Sequence, residues 1–527
     1  MRATGKTTRP LYLEERSLAR TRAVLALAVM LAPVLACAQP AGSALGASGN
    51  AFVMVCRALL AFVVGLLLLY SLRHYWFALT RMFRPQVPLH ASIETANWPR
   101  VVVLIAAHNE EAVIGDCIDA LLHCDYPSDR LVLMPVNDRS TDGTRAVIEH
   151  YAARYPGRLH PYHRSAGAPG KAAALKDATD IVTGNGFRQL RDSEDEREAH
   201  QELLQAEEAE IARVRALKAA TEYVQAQDVA DLIIVFDADY LPNRQLIKQL
   251  AAPFFDPEVG AVMGRVVPQN VGVNLLTRIL DLERSAGYQV DQQARYCLGS
   301  VPQYGGTVGG VRLSALADAG GWTIDTLAED TDLTYRLLLK GWHTAYLNHA
   351  ECYEEVPQSW EVRFRQISRW AKGHNAAMMT YFGRVLRSGD LSRLQRLDGL
   401  ALLGVFFMSP LLLLGWLLSA VLALTGVDFA QGLQSWELWF LIFVTTLALA
   451  GNFAAFVQVA VASHLDGYRE RIRLLPLMFC GFLVSMMAIT KASVDGLFLD
   501  RLLRRKLQWD KTARFRHPDS GRGEAAP

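Results

Sequence analysis

From Val101 onward the chain alternates short apolar runs with polar turns, and that alternation predicts its central domain. The run 101–107 is apolar throughout and passes into His108-Asn109-Glu110-Glu111. Residues 130–136 repeat the pattern and end in Asn137-Asp138-Arg139-Ser140, and residues 232–236 end in Asp237-Ala238-Asp239. Apolar runs of this length fit strands buried on both faces, as in a parallel sheet. Between them, the spacing of Cys117, Leu121 and Leu122 predicts one helix, and the segment opening at Gly170-Lys171 predicts another. Residues 100–360 therefore read as an α/β domain with a mostly parallel central sheet and its polar loops along one edge. In such a sheet the carboxyl ends of the strands are where ligands bind.

Longer apolar runs flank this domain. Residues 23–38 end in Ala36-Cys37-Ala38 and fit either a signal-peptide core or a short first membrane helix; residues 51–72 are long enough to span a bilayer. Together they make residues 1–99 an N-terminal membrane region. Residues 361–395, rich in Arg and Trp at the start, read as an amphipathic segment on membrane lipids. Apolar blocks at 397–426, 438–463 and 474–497 make residues 396–498 a C-terminal membrane region, followed by a basic tail at 499–527. The arginines after residue 72 place the α/β domain in the cytoplasm, so the expectation is a multi-pass protein of the inner (plasma) membrane. Three full C-terminal spans would leave the basic tail outside. Either one block is re-entrant or split, with 474–497 the doubtful one because it holds Lys491 and Asp495, or the charge rule fails here.

Composition changes this picture little. Hydrophobic residues make up 51% of the 527, and they are concentrated in the flanking blocks. A net charge of +1 carries no footprint for nucleic acid. The seven cysteines contain no C-x-x-C pair, so no zinc site is indicated. A charged insert at 186–228 places Leu204, Ile211, Val214, Leu217 and Val224 on one helical face. It reads as a solvated helix or hairpin, with a protein partner as the alternative.

The candidate chemistry starts from Asp237 and Asp239. Two carboxylates at one strand end offer hard oxygen ligands suited to Mg2+ or Mn2+ on a diphosphate, although the pair alone reads equally well as a solvated strand end. Its neighbours change the balance. In order along the chain stand Asp138, Asp237-x-Asp239, Glu329-Asp330 and Gln366-x-x-Arg369-Trp370. This series resembles the D, D-x-D, [TE]-D, Q-x-x-R-W pattern of the processive membrane branch of family 2 glycosyltransferases, which includes cellulose, mannan, curdlan and hyaluronan synthases. The resemblance covers roughly residues 100–400. Asn137 and Ala328 depart from the residues frequent beside these motifs, and the insert is unusual.

The resemblance implies a GT-A nucleotide-sugar fold held between membrane helices. It implies that Asp239 is the direct metal ligand, with Asp237 supporting it or contacting the nucleotide. Asp138 would bind base or ribose, with His108, Asn109 and Glu110 lining the same pocket. Lys171, with Arg164 beside it, would contact base or diphosphate. Asp330 would be the general base, preceded by Glu329 at the acceptor side, with Asp332 as its rival by spacing. Gln366 and Arg369 would hold the diphosphate, and Trp370 would stack on the acceptor; interfacial anchoring is the plainer reading of that Arg and Trp. The donor would be a UDP- or GDP-linked sugar and the acceptor a growing polysaccharide or a glycolipid. The implied activity is inverting, processive synthesis of a β-linked polysaccharide, passed across the membrane. Transfer of one sugar to a lipid-linked acceptor and non-catalytic sugar-nucleotide binding are the competing readings.

Overall fold

The computed structural model of the protein describes residues 47–84, 97–184, 231–424 and 453–496. The first apolar run, the insert at 186–228, residues 438–452 and the basic tail lie outside the described residues.

Eight strands form one sheet: β1 (Val101–Ala107), β2 (Leu131–Asp138), β3 (Tyr162–Arg164), β4 (Leu232–Asp237), β5 (Leu241–Pro242), β6 (Val259–Pro268), β7 (Gly309–Arg312) and β8 (His343–Glu354). Their order is β3-β2-β1-β4-β7-β6-β8-β5. The pairs β1·β2, β1·β4, β2·β3 and β6·β8 are parallel, whereas β7 runs antiparallel between β4 and β6. The mostly parallel sheet expected is present, with β7 as a reversed strand inside it. The strands legible as long apolar runs make its parallel half. The reversed strand is four residues long and glycine-rich, and offers no such run. At Gly309 a Cβ would lie 2.7 Å from the Tyr304 ring and 2.8 Å from the Val262 carbonyl oxygen, so only glycine lets β7 close the sheet.

The helices that bear on the site are α1 (Ala47–Phe83), α2 (Ile114–Leu122), α3 (Thr144–Arg154), α4 (Lys171–Thr183), α5 (Leu275–Ser285), α6 (Glu329–Leu339), α7 (Trp360–Arg387), α8 (Arg393–Leu403), α9 (Met408–Leu424), α10 (Ala454–Leu465) and α11 (Leu475–Val494). Strand pleating divides the domain core into two layers. Val101, Val103, Ile105, Leu232, Ile234 and Phe236 pack on one side with Ile114, Cys117, Ile118 and Leu121 of α2. Val102, Leu104, Ile233 and Val235 pack on the other with Ala174, Leu175, Ala178 and Ile181 of α4. Helices thus cover both faces of the parallel half and leave its strand ends open to a ligand.

Three helices among the described residues are long and apolar enough to cross a membrane: Ala51–Phe83, Val405–Leu424 and Arg469–Val494. The block expected at 397–426 is split. Its first residues belong to α8, which ends at Gly404, and the apolar helix begins after that break. Lys491 and Asp495, the charges that made the last block doubtful, pair with each other across one helical turn at 2.9 Å.

Buried ionic contacts join α1 and the membrane-side loops to the α/β domain. Arg73 of α1 lies 2.9 Å from Asp398 and 3.4 Å from Asp291, and Arg295 lies 2.7 Å from Asp291. Asp466, just after α10, receives Arg265 at 2.8 Å and Gln289 at 2.7 Å, and Arg471 pairs with Asp281. These pairs hold the loop after α10 against β6 and α5.

Candidate active site

The site is built where β1, β2 and β4 end. After β2, Asp138 lies at 8% exposure, in a wall of hydrogen bonds. Its Oδ1 accepts from Arg164 Nη1 at 2.5 Å and from Arg139 Nε at 3.0 Å, and its Oδ2 accepts from the Gly170 N–H at 3.0 Å. His108 Nδ1 donates to the Asp138 carbonyl at 2.7 Å. His108, Asp138, Arg139, Pro169 and Gly170 line an open cleft of about 330 Å³. Asn109 and Arg139, the residues at the two strand ends, both hold positive φ (56° and 55°), a strained conformation of the kind concentrated at functional sites.

Asn109 and Glu110, expected in this pocket, lie beside it and brace the loop after β2 and the start of α3. Asn109 Oδ1 accepts from the Thr141 N–H at 2.7 Å and its own N–H donates to Ser140 Oγ at 2.9 Å, so it fixes the loop after β2. Glu110 is buried, and its N–H donates to Thr144 Oγ1 at 2.7 Å, at the start of α3. Arg164 is a correction. Its side chain is buried among Asp138, Asp177 (2.8 Å) and the Ala168 carbonyl (2.9 Å), which makes it a strut behind the cleft instead of a base or diphosphate contact.

β4 ends at Asp237, and the chain turns at once, with the Tyr240 N–H donating to the Asp237 carbonyl at 3.2 Å. Asp239 is thus brought round by a turn, not by strand pleating, and is 3% exposed. The Asp237 N–H donates to Thr307 Oγ1 at 3.2 Å, and Lys171 Nζ donates to Asp237 Oδ1 at 2.5 Å. Lys171 is the first residue of α4, so this bond joins the first cleft to the Asp-x-Asp turn. Burial alone would lower the Lys171 pKa, but Asp237, Glu329 and Asp330 together raise it. All three carboxylates therefore act on one ammonium.

Glu329 and Asp330 open α6. Burial and repulsion by Asp330 push Glu329 up to about 7, and burial raises Asp330 as well, against the Thr331 N–H bonded to its Oδ1 at 2.6 Å. The 304–307 loop packs on this pair. A Cβ built at Gly306 would lie 3.1 Å from Asp330 Cβ and 3.4 Å from Glu329 Oε1. Asp332, the rival base, is held elsewhere: Arg336 donates to Oδ2 at 2.8 Å and the Tyr381 hydroxyl to Oδ1 at 2.5 Å. Its spacing of four from Arg336 was a readable sign of that role.

The long helix α7 crosses close to the start of α6. A Cβ at Gly373 would lie 2.8 Å from Ala328 Cβ and 3.0 Å from the Leu327 carbonyl carbon, so glycine permits the approach. His374, next to it, is pushed down to about 4 by burial; its Nε2 donates to the Leu402 carbonyl at 2.8 Å, which leaves Nδ1 to accept from the Thr331 hydroxyl at 3.5 Å. Gln366 Oε1 accepts from Arg363 at 3.1 Å, and Arg369 is half-buried on the same helix. Trp370 is half-buried beside Ile367, Ala371, Ala488 and Ile489, and the guanidinium groups of Arg284 and Arg363 lie 5.1 and 5.5 Å from its ring centre. Arg139, Thr307, Arg284 and Arg363 are neighbours that sequence reasoning did not single out.

The donor set at Asp237 and Asp239 fits a hard divalent cation. Among the described residues no group of three or more His, Cys, Asp or Glu is placed to hold a metal. Two carboxylates without a closed cage are what an ion shared with substrate phosphates and water requires.

A family model described as "Glycosyltransferase like family 2" matches residues 99–373. The chain is 25% identical over 432 residues to the probable glycosyltransferase YdaM of Bacillus subtilis, covering 80% of this chain and 89% of that protein. It is 30% identical over 295 residues to the beta-monoglucosyldiacylglycerol synthase of Synechocystis sp., covering 56% of this chain and 52% of the relative. To glucomannan 4-beta-mannosyltransferase 7 of Arabidopsis thaliana it is 24% identical over 300 residues, covering 56% and 47% respectively. The chain thus spans about half the length of the latter two. Among solved structures, the mannosyltransferase PcManGT from Pyrobaculum calidifontis, in complex with GDP-Man and Mn2+, is similar over 85% of this chain and 99% of its own, at 18% identity and a TM-score of 0.48.

Proposed function

The chain belongs to glycosyltransferase family 2 and is a hexosyltransferase, and within that activity we propose that it is an inverting, processive enzyme of the inner membrane. It would extend a β-linked polysaccharide from a UDP- or GDP-sugar in the cytoplasm and pass the product across the membrane. The observation that carries this reading is that Lys171 bonds Asp237 at 2.5 Å and the 304–307 loop joins Asp237 to Glu329 and Asp330, with α7 packed against the residue before Glu329.

In this reading the cleft at His108, Asp138 and Arg139 takes the nucleoside, and Lys171, Gln366 and Arg369 hold the diphosphate by charge-assisted hydrogen bonds. Asp237 and Asp239 would hold Mg2+ or Mn2+, which neutralises the diphosphate as it leaves. Asp330 accepts the proton of the acceptor hydroxyl, whose oxygen attacks the anomeric carbon as the bond to the diphosphate breaks. A single displacement inverts that carbon, so an α-linked donor gives a β-linked product. Burial keeps the Asp330 carboxylate basic, and its charge repels the neighbouring Glu329. The exposed part of Trp370 offers the acceptor sugar an aromatic surface. Asp332 takes no part, because its two oxygens are already bonded.

Similarity to a monoglucosyldiacylglycerol synthase favours a second reading, transfer of one sugar to a lipid acceptor. Base and acceptor readings are tested by Asp330→Asn, assayed with UDP-glucose and GDP-mannose in membranes. Transfer should fall by about 10²–10⁴-fold with nucleotide binding nearly intact. Full activity in that variant would remove Asp330 from the mechanism.

A further inference from the structure

A buried chain of contacts runs from the Asp-x-Asp turn to Trp370. Tyr240 follows Asp239 directly, is 6% exposed, and donates its hydroxyl to Glu354 Oε2 at 2.8 Å. Glu354, the last residue of β8 and also 6% exposed, pairs through Oε1 with Arg284 Nε at 2.6 Å. The Arg284 guanidinium lies 5.1 Å from the Trp370 ring centre. Next to it on α5, Glu283 pairs with Arg363, which lies 5.5 Å from the same ring and donates to Gln366. Adjacent side chains of one helix thus hold both the tryptophan and the glutamine of the Q-x-x-R-W segment, and one of them is tied to the metal turn.

Such an arrangement is not needed for folding alone. A buried carboxylate between a tyrosine and an arginine gives no large net stability over an apolar trio. Its two partners link the residue after Asp239 to the guanidinium beside Trp370. We propose that Arg284 is a positioning residue which, through Glu354 and Tyr240, sets Trp370 relative to the metal-binding turn. It touches neither donor nor acceptor. The proposal rests on the reading that Asp239 and Trp370 serve transfer.

The test uses full-length protein in membranes with whichever of UDP-glucose or GDP-mannose it consumes, at saturating Mn2+. Variants Tyr240→Phe, Arg284→Met, Arg284→Lys, the double variant Tyr240→Phe/Arg284→Met, and Trp370→Ala are compared for kcat, donor KM and melting temperature. Arg284→Met should lower kcat about tenfold, the equivalent of roughly 1.4 kcal/mol, within the range of a desolvated cation–π contact. Its donor KM should stay within about twofold, and Arg284→Lys should recover about half of the lost kcat. Tyr240→Phe, which removes one hydroxyl and leaves the fold intact, should cost about threefold, and the double variant no more than Arg284→Met alone. Additive losses, or wild-type kcat in Tyr240→Phe and Arg284→Met, would overturn the proposal. Wild-type kcat in Trp370→Ala would instead overturn the reading beneath it, so the two failures are distinct.

Discussion

Gly306 is where backbone geometry and catalysis meet most closely, and Gly306→Ala tests both. Gly306 has φ of +70°, and an L residue in that region costs about 1–2 kcal/mol. The added Cβ would lie 3.1 Å from Asp330 Cβ, whereas carbon atoms rest at about 3.5–4.0 Å. Either the loop or the first turn of α6 must therefore retreat by several tenths of an ångström. Since a displacement of about 1 Å costs about 10²-fold in rate, a shift of this size should lower kcat about three- to tenfold. The accompanying strain should lower the melting temperature by about 2–8 °C. The assay is initial-rate sugar transfer at saturating donor, with thermal melting in parallel. Gly320→Ala is the control: φ is +86° but nothing lies within 4 Å of the new Cβ, so it should lose comparable stability and keep its kcat. If Gly306→Ala melts lower but turns over like the wild type, the 304–307 loop does not set the position of the base.

Asp332→Asn should lower stability by about 1–3 kcal/mol in a melting experiment, through weakened bonds to Arg336 and Tyr381, while retaining most of kcat; a loss of kcat at unchanged stability would make it the base. Arg164→Met leaves Asp138 and Asp177 facing a lost cation and should cost about 3 kcal/mol in a melting experiment; weaker nucleotide binding with unchanged melting would return Arg164 to the ligand. The Glu329–Asp330 carboxyls are raised, with Glu329 at about 7. Because Asp330 must be ionised to act as base and burial raises its pKa, transfer should fall with decreasing pH at a point above the usual carboxylate range. Glu329→Gln removes the neighbouring negative charge, which lowers the Asp330 pKa and should move that fall to lower pH; an unmoved profile would separate the two groups.

The half of the fold legible in the sequence is the half made of local pattern. Apolar runs place β1, β2 and β4, and the polar residues that follow each run mark the open edge where the site forms. β7 escapes such reading because a four-residue strand containing Gly309 and Gly310 has no apolar run, and its role depends on neighbours distant in sequence. The site divides in the same way. Asp138, Lys171, Asp237, Glu329 and Asp330 are legible from spacing and resemblance, and in the structure the last three act on the Lys171 ammonium. Arg164 looks available in the sequence until Asp177, 13 positions away, and Asp138 are seen to hold it; for Asp332 the spacing to Arg336 hints at its role and Tyr381, 49 positions away, completes it. Arg284 and Glu354 belong to no local motif. Their pairing spans 70 positions, counted as 354 − 284, and burial decides it, which no periodicity reports.

The central claim is polymer synthesis from a nucleotide sugar by the site at Asp237, Asp239 and Asp330. It is tested most directly by supplying sealed vesicles holding the full-length protein with radiolabelled UDP-glucose or GDP-mannose and Mn2+, and sizing the product. The account predicts a β-linked chain of many residues inside the vesicle lumen, made by the wild type and absent with Asp239→Ala or Asp330→Asn. A product carrying one added sugar on lipid would contradict processive synthesis, and transfer undiminished in those variants would contradict the site itself.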